Sequence, residues 1–164
     1  MSQSNGASAH GEARLNDLYQ EVILDHNKRP RNFGRLEGAD HMAHGKNPLC
    51  GDDYFLYLKV DKNGKIEKAN FEGSGCAISK ASASMLTTFV EGKNVRDAAQ
   101  LKDDFIRMLT DRELSKESLE KVGRLKIFEG VRQFPVRIKC AALIWRTLEE
   151  ALKGNKQMSE ISTE

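Results

Sequence analysis

The stretch DYFLYLKVDKNGKIEKANFE, residues 53–72, decides the fold. Its first half alternates along the chain, and one side of the alternation is apolar throughout: Tyr54, Leu56, Leu58 and Val60. Alternation with a period of two is typical of a β-strand, and the second half, from Lys65 to Glu72, alternates again. Asn63-Gly64 between the two halves is typical of a two-residue hairpin turn. The stretch therefore predicts an antiparallel β-hairpin.

The sequence before this hairpin predicts one helix and a long loop. Leu15 to Lys28 places apolar residues on one face at helical spacing, and Pro30 ends that pattern. The polar, glycine-containing stretch from Arg31 to Pro48 is typical of a loop. A third strand before Cys50 is possible, but no alternation indicates it.

The sequence after the hairpin predicts only helices. Gly73-Ser74-Gly75 breaks the second strand, and an apolar stripe at helical spacing follows it. Asn94 caps a further helix, and the charged stretch from Asp103 to Gly130 contains short helical pieces. Pro135 suits the first position of a last helix that runs to about Lys153. This order predicts an α+β fold, in which a small antiparallel sheet of two to three strands packs against four to six helices.

Length and composition suit one domain. The chain has 164 residues, 39% of them hydrophobic, and a chain of about 150 residues buries about 70% of its unfolded surface. We expect a single domain over residues 14–153. Residues 1–13, which are rich in Ser, Asn, Gly and Ala, are predicted to form a disordered tail, and residues 154–164 a flexible tail.

Charge and hydropathy argue against two classes of partner. The net charge is +2, whereas a nucleic-acid-binding domain usually concentrates Lys and Arg on one face and is clearly basic. No apolar run reaches the roughly 18 residues that a membrane-spanning helix needs, and the N-terminus lacks the apolar segment of a secretory signal. We therefore expect a cytoplasmic protein that binds neither nucleic acid nor membranes.

The three cysteines, Cys50, Cys76 and Cys140, lie far apart in the sequence. An odd number at wide spacing is a poor disulfide framework, and the cytoplasm keeps thiols reduced, so a metal or catalytic role is favoured. The hairpin brings Cys50, at its start, near Cys76, at its end. Asp52 lies two residues after Cys50 and therefore points to the same side of an extended segment. Spacing does not place Cys140; if the fold brings it in, three thiolates and a carboxylate form a tetrahedral site that suits zinc.

Other residues leave several interpretations open. Arg137 lies one helical turn before Cys140 and Lys139 is adjacent to it, so either could offset the negative charge of such a site. A lone cysteine is most often a small buried hydrophobic residue. His41 and His44 could form a metal-binding pair, although solvated loop histidines are the commoner arrangement.

Three motifs together resemble a known family: NPLCGD at residues 47–52, GCAIS at residues 75–79 and RIKCA at residues 137–141. They are similar to the SufU branch of the IscU-like iron–sulfur cluster assembly family, and the resemblance extends over residues 15–153. IscU-type members have a histidine immediately before the last cysteine, where this chain has Lys139. The SufU branch lacks that histidine and carries an extra segment, which the charged stretch between Gln100 and Gly130 matches.

The resemblance implies a zinc-dependent sulfurtransferase in which Cys50 accepts the sulfur. The zinc would be held by four residues: Cys50, Asp52, Cys76 and Cys140. The donor would be the persulfide of a SufS-type pyridoxal-phosphate cysteine desulfurase, whose histidine would replace Cys50 on the zinc, and the SufBCD complex would receive the sulfur. The alternatives are a scaffold that builds a [2Fe–2S] cluster and a purely structural zinc domain used for docking. The sequence does not indicate the oligomeric state.

Overall fold

The computed structural model describes residues 19–154 and 159–162, and residues 19–28 form helix α1. The other elements follow in chain order: β1 (His41–Asn47), β2 (Asp52–Val60), β3 (Ile66–Ser74), α2 (Ala77–Val90), α3 (Val95–Thr110), α4 (Lys116–Val122), a 3₁₀ helix (Gly123–Gln133), α5 (Pro135–Leu152) and β4 (Ser159–Ser162). None of these helices is long and apolar enough to cross a membrane. The predicted α+β class and the β2–β3 hairpin are confirmed. The predicted tail over residues 1–13 lies outside the described residues.

The described residues form a sheet of four strands in the order β3-β2-β1-β4. β2 pairs with β1 and β3 in antiparallel fashion, whereas β4 runs parallel to β1, so the sheet is mixed rather than wholly antiparallel. The hairpin turn contains the three residues 62–64 rather than two. Asp61 N donates to Lys65 O at 2.8 Å, and Gly64 takes a φ of 84°, in the left-handed region that favours glycine.

Strand β1 corrects the prediction of a loop from Arg31 to Pro48, because residues 41–47 lie inside the sheet between β2 and β4. The strand lacks the expected apolar alternation because helix α5 packs directly on its backbone. A Cβ atom at Gly45 would lie 2.0 Å from Thr147 Oγ1. Such a close approach selects glycine in a strand interior and hides the periodicity by which strands are predicted.

Strand β4 lies within the predicted flexible tail over residues 154–164 and was not predicted. Ser159–Ser162 pairs with the middle of β1, and His44 Nδ1 lies 3.2 Å from Glu160 Oε2 across the two strands. Ile161 is the one apolar member of this strand. Four residues are too few to establish a period of two, which explains why the pattern did not reveal the strand.

Helices α2 and α5 meet at the centre of the core. Ser82 Oγ donates to Ala141 O at 2.7 Å and accepts from Trp145 Nε1 at 3.1 Å. Trp145 is fully buried and stacks on Phe105 of α3 with 4.6 Å between the ring centroids. These contacts fix α5 against α2 and so determine where the first turns of α5 lie relative to the sheet.

The stability of this fold should depend on the protonation of His26. His26 Nδ1 lies 2.7 Å from Ser84 Oγ, and that oxygen already accepts a hydrogen bond from Arg31 N at 2.8 Å. The Ser84 hydroxyl can donate its hydrogen to Nδ1 of a neutral His26 ring, an acceptor that the protonated ring lacks. Burial, with a smaller contribution from the charge of Arg31, lowers the pKa of His26. The unfolded chain binds the proton more readily, so stability is lost as the pH falls below about 6.5.

We expect the urea midpoint of the wild type to fall more between about pH 7.5 and about pH 5.5 than that of His26→Gln. Glutamine retains a hydrogen-bonding amide but does not titrate. Every other titrating group is common to both proteins, so the difference between the two decreases isolates His26. Equal decreases would contradict the assignment.

Candidate metal centre

Cys50 lies in the turn that joins β1 to β2. Cys50 N donates to Asn47 O at 3.2 Å, and Gly51 follows with a φ of 71°. The Cys50 side chain is partly exposed. Cys50 is therefore a thiol presented by a short loop rather than by a helix or strand.

Asp52 is the first residue of β2 and is 2% exposed. Its Oδ1 accepts hydrogen bonds from Cys76 N and Ser79 Oγ, each at 3.0 Å. Its Oδ2 is buried too, but has no hydrogen-bond partner among the described residues. Leaving a buried acceptor unsatisfied costs about 1–3 kcal/mol of folding free energy, and more for a charged group. A cation bound to Oδ2 would remove this cost.

Cys76 caps the N-terminus of α2, and its sulfur accepts a hydrogen bond from Ser79 N at 3.4 Å. This position favours a thiolate, because the unpaired N–H groups and the dipole of the helix stabilise negative charge. The cross-strand pair of Asp53 with Ser74 brings the two ends of the hairpin together here. As a result, the main-chain N–H group of Cys76 can donate its hydrogen bond to Asp52 Oδ1.

Cys140 lies in the second turn of α5 and is 3% exposed. Its Sγ lies 3.2 Å from Cys50 Sγ, and Asn47 Nδ2 donates to it at 3.9 Å. Burial, followed by the hydrogen bond to Cys50, the charge of Cys76 and the neighbouring Asp52 carboxylate, raises the pKa of the Cys140 thiol. The packing of α5 thus supplies what the sequence spacing could not, a place for Cys140 beside Cys50.

The donor atoms of Cys50, Asp52 and Cys140 all lie within 4.8 Å of one another. Two free thiols and a buried carboxylate oxygen without a partner fit a cation that accepts both sulfur and oxygen ligands, as zinc does. Cys76 lies beside this group of three rather than within it. Its part as a fourth ligand stays a prediction.

The two cationic residues predicted to support the site lie on the first turns of α5. The Arg137 guanidinium stacks on the Phe134 ring, 4.6 Å from its centroid. Lys139 lines a groove between α5 and β4, and Ile161 lines the same groove. Their predicted role in offsetting the charge of a metal centre is not tested by these contacts.

His41 and His44 were expected to be solvated loop residues, but both lie in strand β1. His44 is 8% exposed, and its Nε2 and Nδ1 lie 2.5 Å from Asp53 Oδ1 and 3.2 Å from Glu160 Oε2. His41 Nδ1 lies 2.8 Å from Asp40 Oδ1. Residues three apart on a strand face opposite sides, so His41 and His44 do not form a metal-binding pair.

Three polar residues of the site were missed in the sequence: Asn47, Tyr54 and Ser79. Tyr54 Oη lies 3.0 Å from Ser79 Oγ, and burial raises the pKa of Tyr54, which keeps the phenol protonated. Asn47 and Ser79 stand within the motifs around Cys50 and Cys76, and Tyr54 follows Asp52 by two residues on the same strand face. Their positions in or next to these motifs could have indicated that they belong to the site, but only the fold shows which atoms they contact.

Comparison with known proteins places these residues in a family context. The profile of the family described as NifU-like N terminal domain matches residues 18–157. The chain is 39% identical over 150 residues to the iron–sulfur cluster assembly scaffold protein IscU of Streptococcus pyogenes serotype M1, with 92% of each chain covered. It is 41% identical over 140 residues to the zinc-dependent sulfurtransferase SufU of Bacillus subtilis, covering 85% of this chain and 92% of the relative.

Two solved structures have a similar fold. One is assigned to an iron–sulfur cluster assembly scaffold protein for the SUF system from Fervidobacterium islandicum; its TM-score is 0.73 at 36% identity, over 80% of this chain and 94% of that one. The other is the N-terminal part of a nitrogen-fixing NifU-like protein from Brucella abortus, with a TM-score of 0.72 at 24% identity, over 85% of this chain and 94% of that one. The second likeness concerns the fold alone.

Proposed function

The chain belongs to the family of NifU-like N-terminal domains, and on that basis we propose that it is a zinc-dependent sulfurtransferase of iron–sulfur cluster assembly. An asymmetry among the three sulfurs supports this proposal. Cys76 accepts a hydrogen bond from Ser79 N and Cys140 accepts one from Asn47 Nδ2, whereas Cys50 accepts from the Cys140 thiol and from no N–H group in the described part of the chain. N–H donors make a thiolate less basic and therefore less nucleophilic, so Cys50 keeps the most reactive sulfur.

The proposed zinc ligands are the three cysteines and one carboxylate: Cys50, Asp52, Cys76 and Cys140. When bound, zinc would keep these cysteines as thiolates near neutral pH. The unpartnered Oδ2 of Asp52 and the 3.2 Å separation of Cys50 and Cys140 support this set. Because the ligands come from the β1–β2 turn, the start of β2, the N-terminus of α2 and α5, metal binding would also add to the stability of the fold.

The part of this chain in the reaction is to present Cys50 as a nucleophile to a persulfide. Cys50 Sγ attacks the outer sulfur of the donor persulfide, so a new S–S bond forms on Cys50. The S–S bond of the donor breaks, and the donor cysteine leaves as a thiolate. One persulfide is exchanged for another, and the step needs neither an oxidant nor a reductant.

The proposed donor is a SufS-type cysteine desulfurase, which would contain the pyridoxal phosphate, and the proposed acceptor is SufBCD. The SufU relative in Bacillus subtilis and the SUF-system protein of Fervidobacterium islandicum support this pathway. Leu49, next to Cys50, is 69% exposed and offers an apolar group that a docking partner would cover.

Mass spectrometry after incubation with a SufS-type desulfurase and free cysteine tests the proposal. We expect wild-type protein to gain one sulfur atom on Cys50 and to hold about one zinc per chain. Cys50→Ala should gain no sulfur, because its nucleophile is absent, and should fail to stimulate the desulfurase. Full stimulation by Cys50→Ala would refute the function, and samples without free cysteine are the control for carried-over sulfur.

The second candidate is a cluster scaffold, which the name of the Streptococcus pyogenes relative favours. This candidate places a [2Fe–2S] cluster or iron on the same cysteines. It predicts a visible iron–sulfur chromophore after anaerobic reconstitution and transfer of that cluster to an apo-acceptor. Lys139 stands immediately before the last cysteine, and a lysine ammonium offers no ligand while it is protonated, which weighs against a fourth nitrogen ligand there.

A further inference from the structure

Two hydroxyl groups form a chain that ends on the metal-site carboxylate. Tyr54 Oη lies 3.0 Å from Ser79 Oγ, and Ser79 Oγ lies 3.0 Å from Asp52 Oδ1. Tyr54 is 0% exposed, Ser79 is 1% exposed and Asp52 is 2% exposed. Since water has almost no access, these groups must satisfy one another.

The direction of the hydrogen bonds follows from counting donors. Within the described residues, Ser79 Oγ is the one hydrogen-bond partner of Tyr54 Oη, so the phenol donates its hydrogen to Ser79. Ser79 has one hydroxyl hydrogen and three acceptors in reach: Cys76 O and Asp52 Oδ1, both at 3.0 Å, and the larger and more distant Cys76 Sγ at 3.6 Å. A carboxylate is the strongest acceptor, so that hydrogen goes to Asp52.

Cys76 closes the arrangement on the other side. Its N–H group donates to the same Asp52 oxygen, and its sulfur accepts from Ser79 N. Oδ1 of Asp52 is thereby saturated by two donors, and Oδ2 is left buried without a donor. The orientation of the Asp52 carboxylate is consequently fixed by Cys76 N and Ser79 Oγ, which both donate to Oδ1 rather than to Oδ2.

We propose that Tyr54 and Ser79 are positioning residues: their two hydroxyls anchor Asp52 through Oδ1 and so reserve Oδ2 for the metal. Tyr54 acts only through Ser79. This inference rests on the metal binding of the proposed function, not on sulfur transfer, since a scaffold would need the same carboxylate. Partners of this kind behind a metal ligand typically change metal affinity about 10–100-fold.

The strand that carries Tyr54 offers a matched control. Tyr57 also belongs to β2, is 5% exposed and donates its phenol hydrogen to Glu72. Its position three residues on places it on the opposite face of the sheet. Tyr54→Phe and Tyr57→Phe therefore remove the same buried group from the same strand, but only the first removes it from the chain that ends on Asp52.

Zinc affinity, measured by competition with a chromophoric chelator, tests the proposal. We expect Tyr54→Phe to weaken zinc about 10-fold and Ser79→Ala about 10–100-fold, with Tyr57→Phe within about twofold of the wild type. The double variant Tyr54→Phe/Ser79→Ala should bind no more weakly than Ser79→Ala, because Tyr54 acts through Ser79. The ligand-field bands of the cobalt-substituted protein should shift in Tyr54→Phe and stay in place in Tyr57→Phe.

Two outcomes would overturn the proposal: equal zinc affinities of Tyr54→Phe and Tyr57→Phe, or losses that multiply in the double variant. If Ser79→Ala fails to fold, the comparison of the two phenylalanine variants decides alone. Failure of persulfide formation on Cys50 would refute the sulfurtransferase function and leave this result untouched, because the readout is metal affinity.

Discussion

Gly75→Ala is expected to lower zinc affinity on the order of 100-fold while the chain still folds. A Cβ atom at Gly75 would lie 2.4 Å from Asp52 Oδ1, 2.6 Å from Ser79 Oγ and 2.7 Å from Tyr54 Oη. All three distances are shorter than non-bonded contacts allow, so the methyl group must displace the atoms that anchor the carboxylate. Because these atoms are buried and bound to one another, they have no free space to move into. The expected result follows from a collision, since Gly75 does not have a positive φ.

Gly130→Ala is the matched control for that experiment. Gly130 lies in the 3₁₀ helix, has no positive φ, and a Cβ atom there would meet nothing within 4 Å. Both variants add one methyl group to a glycine, but only Gly75→Ala adds it inside the site. Bound zinc should be measured after dialysis, together with thermal unfolding. If Gly75→Ala bound zinc as tightly as Gly130→Ala, the prediction would be wrong, because the atoms around Asp52 would have made room for the methyl group without any loss of zinc affinity.

The sequence predicts those parts of the fold that are determined by residues close together in the chain. The β2–β3 hairpin was predicted because apolar alternation and an Asn-Gly turn lie in one continuous stretch. β1 was missed because Gly45, in the interior of the strand, packs against Thr147 of α5, about one hundred residues further along the chain. Such a contact leaves no local periodicity. The same is true of β4, which pairs with β1 across a similar separation in sequence.

The candidate site shows the same division between local and distant information. Cys50, Asp52 and Cys76 were expected to meet because a hairpin brings its two ends together, and Asp52 does bind Cys76 N. The place of Cys140 depends on how α5 packs, which no spacing encodes. Family resemblance supplied that residue. The hydroxyls behind Asp52 could not be predicted, because a serine and a tyrosine are ordinary core-facing residues until their partners are known.

Asp52→Asn is expected to have opposite effects on metal binding and on the stability of the metal-free protein. The amide oxygen can still accept from Cys76 N and Ser79 Oγ, so the geometry of the site is retained. The NH₂ group then replaces Oδ2 and cannot act as an anionic ligand, so zinc affinity should fall on the order of 100-fold or more. Without metal, however, the variant no longer buries an unpaired charge, and it should resist urea better than the wild type by about 1–3 kcal/mol.

Asp53→Asn separates this effect from any general loss of a carboxylate in β2. Asp53 is the next residue, its side chain is 47% exposed, and it contacts His44 on the opposite face of the sheet. The Asp53→Asn variant should therefore leave zinc affinity unchanged and, because it weakens the hydrogen bond with His44, should not stabilise the metal-free protein. Chelator competition and urea unfolding in the presence of chelator measure both quantities. If Asp52→Asn lowered the stability of the metal-free protein as well, the role of Asp52 would be to stabilise the fold, and the proposal that its Oδ2 binds a cation would lose its support.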